Sequence, residues 1–298
     1  MRKTEFLVNG RTKVIGLIGY PVEHTASPPM HNAVFQKLDL DYVYIPFSIP
    51  PEDLLSAIKA MKTLNFVGFN VTIPHKKNII KYLDEVDYHA RLVGSVNTVI
   101  RENGRFIGYN TDGEGFIKSL EEKGVEVEGK TIFLIGAGGA AWAIAFAMME
   151  RKPRRIFILN RDMDNAEFLR IRLTMAYRKS TVLTLPHKKQ PLKYTLQVTD
   201  LLINATPVGM DGESIPFDLE IEHLPPHAVI YDLIYSPPLT PLLKKGRNLG
   251  LKVINGVGML VHQGAISLKM WLGIDPPLDV MKKAVEEFLS QKFGEIKE

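Results

Sequence analysis

Residues 132–141 read Ile-Phe-Leu-Ile-Gly-Ala-Gly-Gly-Ala-Ala, an apolar run followed by the pattern G-x-G-x-x-A and then by an apolar helical segment. Glycine at Gly136 permits a tight turn, and glycine at Gly138 lets the backbone approach a pyrophosphate. The small Ala141 permits close packing of the helix on the strand, and the N–H groups at the helix start suit phosphate oxygens. The pattern predicts a dinucleotide-binding turn. The alternative is a tight strand-to-helix turn without a ligand.

The end of the next predicted strand bears on the choice of dinucleotide. Asn160-Arg161-Asp162 stands there, with Asp164 close by. A guanidinium can bind a 2′-phosphate in a bidentate way, whereas a carboxylate accepts hydrogen bonds from an unphosphorylated ribose. Asn160 and Arg161 therefore favour NADP, and Asp162 favours NAD. A helix cap is the other role open to Asp162 or Asp164. We expect NADP as the cofactor, with the use of NAD left open.

Short apolar runs rich in Val, Ile and Phe alternate with segments of helical period, which predicts an α/β fold of parallel strands and crossover helices. Two series of strands indicate two sheets. The predicted strands are 13–19, 42–47, 66–72 and 96–100 in the first series and 131–135, 155–160, 201–204, 228–231 and 252–254 in the second. The predicted helices are 28–38 and 52–62, a helix plus turn at 113–129, and 258–272 and 277–291 at the C-terminus. We predict a first domain over 1–111, completed by the returning helices of 258–298, and a Rossmann-like domain over 112–257.

The composition limits the classes of function. The chain has 298 residues, 45% hydrophobic and 23% charged, which is enough for two packed domains. It contains no cysteine and its histidines are scattered, so we expect neither disulfides nor a metal site. The net charge is +4, but the cationic residues are interspersed with carboxylates, which argues against nucleic-acid binding. The first ten residues lack an apolar run, so we expect no signal peptide, no membrane contact and a cytoplasmic location.

Polar side chains stand at the ends of the predicted strands of the first domain. These residues are Thr25, Ser27, Asn70, Thr72, Lys76, Asn97 and Asp112. The hydroxyls of Thr25 and Ser27 suit a carboxylate, although Ser27 before Pro28 is equally a candidate helix N-cap. Asn70 and Thr72 alternate onto one face of a strand. Because ligands of open α/β sheets bind beyond the carboxyl ends of the strands, we expect a site for a small polyhydroxy acid.

Nine segments, in this order, resemble the signatures of the shikimate dehydrogenase family and cover most of the chain. They are His24-Thr-Ala-Ser-Pro with His31-Asn, Asn70-Val-Thr-Ile-Pro-His-Lys76, Gly94-Ser-Val-Asn97-Thr, Tyr109-Asn-Thr-Asp112-Gly, Gly136-Ala-Gly-Gly-Ala-Ala, Asn160-Arg161, Asn204-Ala-Thr-Pro-Val-Gly-Met210, Asp232-Leu-Ile-Tyr235 and Gly256-Val-Gly-Met259-Leu-Val-His-Gln263. The resemblance implies an N-terminal substrate-binding domain, a Rossmann-like NADP-binding domain and C-terminal helices that return to the first. The reaction it implies is the reversible NADPH-dependent reduction of 3-dehydroshikimate to shikimate, in chorismate and aromatic amino-acid biosynthesis.

By position, the resemblance makes Lys76 and Asp112 the catalytic pair. The substrate-binding residues it implies are Thr25, Ser27, Asn70, Thr72, Asn97, Tyr235 and Gln263. The cofactor contacts it implies are Gly136, Gly138, Gly139, Ala140, Asn160, Arg161, Thr206, Gly258 and Met259. Asp162 is a further expected contact, because it stands at the end of the strand that follows the glycine turn. Hydride on a ketone carbon leaves negative charge on oxygen, which the ammonium of Lys76 can stabilise and protonate. Asp112 can hold that lysine, and whether Lys76 acts alone or with Asp112 stays open.

Two positions depart from the family pattern. Thr25 stands where the family usually has serine, and Trp142 stands where an arginine is common after the glycine turn. With Asp162, they leave open a quinate/shikimate dehydrogenase that uses NAD or both cofactors. A non-catalytic nucleotide-sensing protein on the same fold is the other alternative. We expect shikimate or 3-dehydroshikimate as the small-molecule partner, and a monomer or a homodimer.

Overall fold

The computed structural model describes residues 8–177, 181–212 and 214–294, which divide into two compact units. The first unit holds the described residues up to Thr111 together with Val261–Gly294, and the second holds Asp112–Leu260. The return to the first unit falls inside a helix, after Leu260, whereas the predicted boundary lies after residue 257. Residues 1–7 and 295–298, which the predicted first domain includes, lie outside the described residues.

Strands and α-helices alternate through most of both units. The strands are β1 (Lys13–Gly19), β2 (Tyr42–Ser48), β3 (Gly68–Val71), β4 (Glu85–Val86), β5 (Thr98–Glu102), β6 (Arg105–Tyr109), β7 (Thr131–Ile135), β8 (Arg155–Leu159), β9 (Thr181–Leu185), β10 (Leu201–Asn204), β11 (Val229–Asp232) and β12 (Lys252–Ile254). The α-helices are α1 (Ser27–Lys37), α2 (Leu54–Thr63), α3 (Tyr88–Val93), α4 (Asp112–Glu122), α5 (Gly139–Glu150), α6 (Met163–Ala176), α7 (Lys189–Gln197), α8 (Pro241–Asn248), α9 (Val257–Leu272) and α10 (Leu278–Phe293). The α/β class predicted from the sequence is confirmed.

The sheet of the first unit has the order β2-β1-β3-β5-β6-β4. β1 pairs in parallel with β2 and β3, as the alternation predicts. β5 runs antiparallel to β3 and β6, so the prediction of a parallel sheet is wrong for this strand. The pairing with β6 follows from the turn at Asn103-Gly104, where φ is 50° and 78°. Two consecutive residues with positive φ form a tight hairpin turn, so β5 and β6 need no crossover helix.

The C-terminal segment packs onto the first unit. α10 contacts α1, and the indole Nε1 of Trp271, in α9, donates a hydrogen bond of 2.9 Å to the carbonyl of Val99 in β5. A Cβ atom at Gly68 in β3 would overlap the Trp271 ring. Glycine at this position therefore lets the helix lie directly on the sheet.

The sheet of the second unit is parallel throughout, in the order β12-β11-β10-β7-β8-β9. This is the Rossmann strand order. After β7 the chain adds β8 and β9 on one side, and it then adds β10, β11 and β12 on the other side, so the switch point lies between β7 and β10. The central strand β7, Thr131–Ile135, is buried along its whole length because helices cover both faces of a parallel sheet. Within the described residues, the helices are too short or too polar to span a membrane.

Candidate active site

The first unit places polar residues at the edge of its sheet where β1 and β3 end. Because β5 runs opposite to β3, the residues that precede β5 lie at this same edge. Asn97 directly precedes β5, and Asn70 of β3 is paired with Thr98. Residues 94–97 form a loop rather than the start of the strand predicted at 96–100. The antiparallel strand is thus what brings Asn97 beside Asn70.

Thr25 lies in the turn between β1 and α1, and Ser27 is the first residue of α1. The Oγ1 of Thr25 donates to the Oγ of Ser27 at 3.2 Å and accepts from the Ser27 N–H at 3.2 Å. The N-cap of α1 is Ala26, whose position makes no side-chain cap bond, so Ser27 is not the N-cap that the sequence also allowed. The two hydroxyls therefore lie side by side at the start of a helix, where they suit a carboxylate.

Asn70 is buried in a hydrogen-bond network. Its Nδ2 donates to the Asn97 carbonyl at 3.0 Å, to Thr98 Oγ1 at 3.1 Å and to Ser267 Oγ at 3.2 Å. Its Oδ1 accepts from the Tyr44 hydroxyl at 2.8 Å. These bonds hold the edge of the sheet in place, and the role of Asn70 in substrate binding stays a prediction.

Asn97 extends this network to the C-terminal helix α9. Its Oδ1 accepts from the Thr111 N–H at 2.8 Å, and its Nδ2 donates to Thr111 Oγ1 at 2.9 Å and to Gln263 Oε1 at 3.3 Å. Ser267 Oγ donates to the Gln263 carbonyl at 2.9 Å and lies 2.7 Å from Thr98 Oγ1.

The sequence predicted Asn97 and Gln263 but missed Tyr44, Thr98, Thr111 and Ser267. The spacing of four between Gln263 and Ser267, which puts both on one helix face, was an available signal.

Lys76 lies in the turn that follows β3 and is half-buried. Its carbonyl accepts a hydrogen bond of 2.8 Å from Val96, the neighbour of Asn97. The preceding His75 is fully buried, with its Nε2 2.7 Å from the Ile49 carbonyl, and its backbone N–H donates to the Thr72 carbonyl at 2.9 Å. The backbone at residues 72–76 is therefore fixed, and it places Thr72 and Lys76 at the same edge as Asn97.

The glycine turn of the second unit lies at the switch point of the Rossmann sheet. Gly136 follows β7 with φ of 109°, and a Cβ there would lie 3.0 Å from the Ala205 carbonyl. Gly138 is exposed and is the N-cap of α5 without a side-chain cap bond, and the first turn of α5 has no acidic residue. No described atom lies within 4 Å of the place where a Cβ of Gly138 would be. Uncapped N–H groups beside open space fit a pyrophosphate.

In the segment after β8, Asp162 has the helix-capping role that the sequence left open, while its role at the cofactor stays a prediction. Its Oδ1 accepts from the backbone N–H groups of Asp164 at 3.0 Å and Asn165 at 3.2 Å, and its Oδ2 accepts from Asn165 Nδ2 at 2.7 Å. Asp162 is therefore the N-cap of α6. Asn160 Nδ2 donates to the Asp162 carbonyl at 2.7 Å, and Arg161 between them is exposed. Arg161 thus supplies a positive charge next to the end of β8.

Trp142 lies in the first turn of α5, and its buried side chain packs against α6. Its ring centroid lies 5.5 Å from that of Phe168 and 6.2 Å from that of Phe146. The guanidinium carbon of Arg172 lies 5.8 Å from the indole centroid. The tryptophan therefore fills the helical layer and supplies no charge to a phosphate.

Asp112 is the first residue of α4 and is buried. A Cβ at Gly113 would lie 2.7 Å from a carbonyl of α5, so glycine lets these helices pack closely. The start of α9 also packs on α4, because a Cβ at Gly258 would lie 3.0 Å from the Cβ of Ser119. The hydroxyl of Tyr231 lies 2.7 Å from Ser119 Oγ and bonds to the backbone of Met259, and burial raises the pKa of Tyr231. The second unit thus holds Asp112 and residues 258–259 on elements that contact each other.

Thr206 and Tyr235 lie in the loops that follow β10 and β11. Thr206 Oγ1 donates to Asn204 Oδ1 at 2.7 Å, and Tyr235 is half-buried. Because β7 and β10 are adjacent, Thr206 lies beside the glycine turn, with its Cγ2 3.0 Å from a Cβ built on Gly136. Lys76 and Asp112 belong to different units, so their pairing stays a prediction.

A Rossmann sheet with an uncapped glycine turn, joined in one chain to a second α/β unit with a polar sheet edge, is the architecture of two-domain dinucleotide-dependent oxidoreductases. Comparisons with known proteins narrow this class. Residues 17–99 match the shikimate dehydrogenase substrate binding domain, residues 118–208 the shikimate/quinate 5-dehydrogenase domain, and residues 256–286 the shikimate 5′-dehydrogenase C-terminal domain.

Relatives match over nearly the whole chain. Shikimate dehydrogenase (NADP⁺) of Methanocaldococcus jannaschii is 47% identical, over 94% of this chain and 98% of that protein. A crystal structure of shikimate dehydrogenase in complex with NADP⁺ is 44% identical and has a TM-score of 0.88, covering 95% of this chain and 98% of the other. Shikimate 5-dehydrogenase from Listeria monocytogenes, in complex with shikimate and NAD, is 35% identical with a TM-score of 0.84, covering 93% and 97%. The chain belongs to the shikimate dehydrogenase family, which confirms the resemblance and the oxidoreductase class.

Proposed function

We propose that this chain catalyses the reversible reduction of 3-dehydroshikimate to shikimate with NADPH, a step of chorismate and aromatic amino-acid biosynthesis. The observation that carries the proposal is the match to proteins of that name over 94% of the chain, with lysine at position 76 and aspartate at position 112. The polar sheet edge of the first unit and the glycine turn of the second support it, because each suits one of the two reactants.

The second unit is proposed to hold the cofactor. The N–H groups of Gly138, Gly139 and Ala140, with the turn at Gly136, would bind the pyrophosphate. Asn160, Arg161 and Asp162 would surround the adenosine ribose, and Thr206, Gly258 and Met259 would contact the nicotinamide half. NADPH, when bound, supplies the hydride.

The first unit is proposed to hold the substrate. The paired hydroxyls of Thr25 and Ser27 suit its carboxylate. Thr72, Asn97 and Gln263, with Tyr235 of the second unit, would bind its hydroxyl groups, since amide and hydroxyl side chains both donate and accept. Asn70 is proposed as a further substrate contact, and its Nδ2 also donates to the Asn97 carbonyl at 3.0 Å.

Lys76 is proposed as the acid and base of the reaction. During reduction its ammonium would stabilise the developing negative charge on the carbonyl oxygen and donate the proton, and during oxidation the neutral amine would remove it. Asp112 would hold the lysine side chain and accept a hydrogen bond from the neighbouring substrate hydroxyl. The fixed backbone around Lys76 supports this assignment, because a positioned side chain reacts more readily. The Lys76 carbonyl accepts from the Val96 N–H, and the neighbouring His75 N–H donates to the Thr72 carbonyl.

A quinate/shikimate dehydrogenase that also uses NAD is the second candidate. The carboxylate of Asp162 beside Arg161 favours the use of NAD, and Thr25 in place of serine leaves the choice between shikimate and quinate open. Steady-state rates with shikimate and quinate, each with NADP⁺ and NAD⁺, test both. We expect kcat/KM to be highest for shikimate with NADP⁺. A higher value for quinate, or for NAD⁺, would replace the first candidate by the second.

The cellular location and the oligomeric state of the enzyme are also open to test. We propose a cytoplasmic location, which the absence of cysteine favours, and fractionation of cells that express the chain would test it. Monomer and homodimer are both compatible with the proposal, and light scattering of the purified chain distinguishes them.

A further inference from the structure

Asp232, the last residue of β11, is a carboxylate without any exposed surface. Its Oδ2 accepts from Thr240 Oγ1 at 2.7 Å, and its Oδ1 accepts from Asn204 Nδ2 at 3.0 Å and from the Ile234 N–H at 3.1 Å. Among the described residues, none forms an ion pair with it, and burial raises its pKa to about 6. Burying a carboxylate without a cation is unfavourable, so the three hydrogen bonds that hold Asp232 call for a structural explanation.

One purpose is to fix the orientation of the Asn204 amide. Asn204 is fully buried, and its two ends face different partners. Its Nδ2 donates to Asp232 and to the Val208 carbonyl at 3.1 Å, and its Oδ1 accepts from the Thr206 N–H at 3.1 Å and the Thr206 hydroxyl at 2.7 Å. An ionised carboxylate only accepts hydrogen bonds. Asn204 must therefore present its NH₂ group to Asp232 and its oxygen to Thr206.

The loop held in this way, residues 205–208, borders the glycine turn. The Ala205 N–H donates to the Ile135 carbonyl at 2.8 Å. The Ala205 carbonyl and Thr206 Cγ2 both lie 3.0 Å from a Cβ built on Gly136, which leaves no space between the loop and the turn. A shift of the loop would thus move a wall of the predicted dinucleotide site, at the switch point where ligands of this fold bind.

We propose that Asp232 is a positioning residue for the cofactor: through the Asn204 amide it holds residues 205–208 against the glycine turn, and so sets NADP affinity without touching NADP. The inference rests on the proposed function, because it takes the glycine turn as the cofactor site. The hydrogen bond between Asp232 and Thr240 has a different role, because it holds the start of a helix. Thr240 is the N-cap of α8, where its Oγ1 also accepts from the Leu243 N–H at 3.3 Å.

The two arms of Asp232 offer a matched test in the full chain. Asn204→Ala removes the arm toward the glycine turn, and Thr240→Ala removes the arm toward α8. Isothermal titration of each variant with NADP⁺, together with its Tm, separates positioning from general stability. We expect both variants to lower Tm, Asn204→Ala to weaken NADP⁺ binding about 10-fold or more, and Thr240→Ala to stay within about 2-fold of wild type.

The Asp232 variants complete the test. Asp232→Asn can still present an oxygen to Asn204 and an NH₂ group to Thr240, so we expect its NADP⁺ affinity to stay within about 3-fold of wild type. Asp232→Ala should weaken binding as Asn204→Ala does, with a higher KM for NADP⁺ and little change in kcat. Equal NADP⁺ affinity of Asn204→Ala and wild type, or equal weakening by Thr240→Ala, would overturn the inference. A wild-type chain that binds neither NADP⁺ nor NAD⁺ would instead overturn the proposed function.

Discussion

The carboxylate of Asp162 accepts a hydrogen bond of 2.7 Å from the side-chain amide of Asn165, while its other oxygen caps the backbone of α6. The side chain is thus committed to the helix start, but its negative charge remains next to the exposed Arg161. A bound 2′-phosphate would experience both charges. Because the carboxylate oxygens of Asp162 bond to α6, we expect this residue to act on cofactor choice through its charge.

The first prediction concerns the substitution Asp162→Ser. Serine also caps helices, so the fold is kept while the charge is removed. We expect NADP⁺ to bind about 3- to 10-fold more tightly and NAD⁺, which lacks the phosphate, to change by less than about 2-fold. Isothermal titration with the two nucleotides measures this, and NAD⁺ is the internal control. Equal changes for both nucleotides would show that the charge does not discriminate between them.

The second prediction concerns Gly138→Ala. The backbone at Gly138 has φ of −81°, which alanine adopts readily, and no described atom stands where the Cβ would be. Tm should therefore stay within about 2 °C of wild type, whereas the added methyl should displace a pyrophosphate and weaken NADP⁺ binding about 10-fold or more. Gly10→Ala, at another uncrowded glycine, is the control and should leave both unchanged. Wild-type affinity in Gly138→Ala would remove the glycine turn from the cofactor site.

The third prediction concerns pH and His31. His31 is fully buried against Tyr44, with ring centroids 4.3 Å apart, and burial lowers its pKa to about 3. Below pH 6.5 the imidazole of His31 is protonated in the unfolded chain but stays neutral in the folded chain. The stability that is present above pH 6.5 is therefore lost as the pH falls toward 3. The loss from this residue approaches about 1.4 kcal/mol per pH unit in that window.

Urea unfolding at several pH values between 7 and 4 tests this prediction. His31→Leu should remove that part of the pH dependence, so that its free energy of unfolding falls less steeply than that of wild type. His187→Leu, at an exposed position, should retain the wild-type slope. Parallel curves for His31→Leu and wild type would contradict the assignment.

Much of the second unit could be predicted from the sequence, because its strands are continuous apolar runs and its glycine turn is a local pattern. The bounds of β7, Thr131–Ile135, and β10, Leu201–Asn204, agree with prediction. β9, Thr181–Leu185, was missed, because it is an edge strand with exposed positions and lacks a continuous apolar run. The Asp232–Asn204 contact was also beyond reach, since it depends on which strands are neighbours.

The first unit was harder to predict. The hairpin of β5 and β6 has a local signal in Asn103-Gly104, whereas the alternation of strands with helical segments favours crossover helices. The contact of Asn97 with Gln263 joins parts of the chain that are 166 positions apart, and only the tertiary structure brings them together. Site residues could thus be named from the family resemblance, while the side chains that support them, such as Ser267, could not.

The central claim is that Lys76 carries the proton in the proposed reaction. Steady-state kinetics of Lys76→Ala with shikimate and NADP⁺ test it most directly, with Lys77→Ala, an adjacent exposed lysine, as the control. We predict that Lys76→Ala lowers kcat about 1,000-fold while shikimate affinity changes by less than about 10-fold, and that Lys77→Ala keeps the wild-type kcat. A Lys76→Ala enzyme with undiminished kcat would contradict the claim.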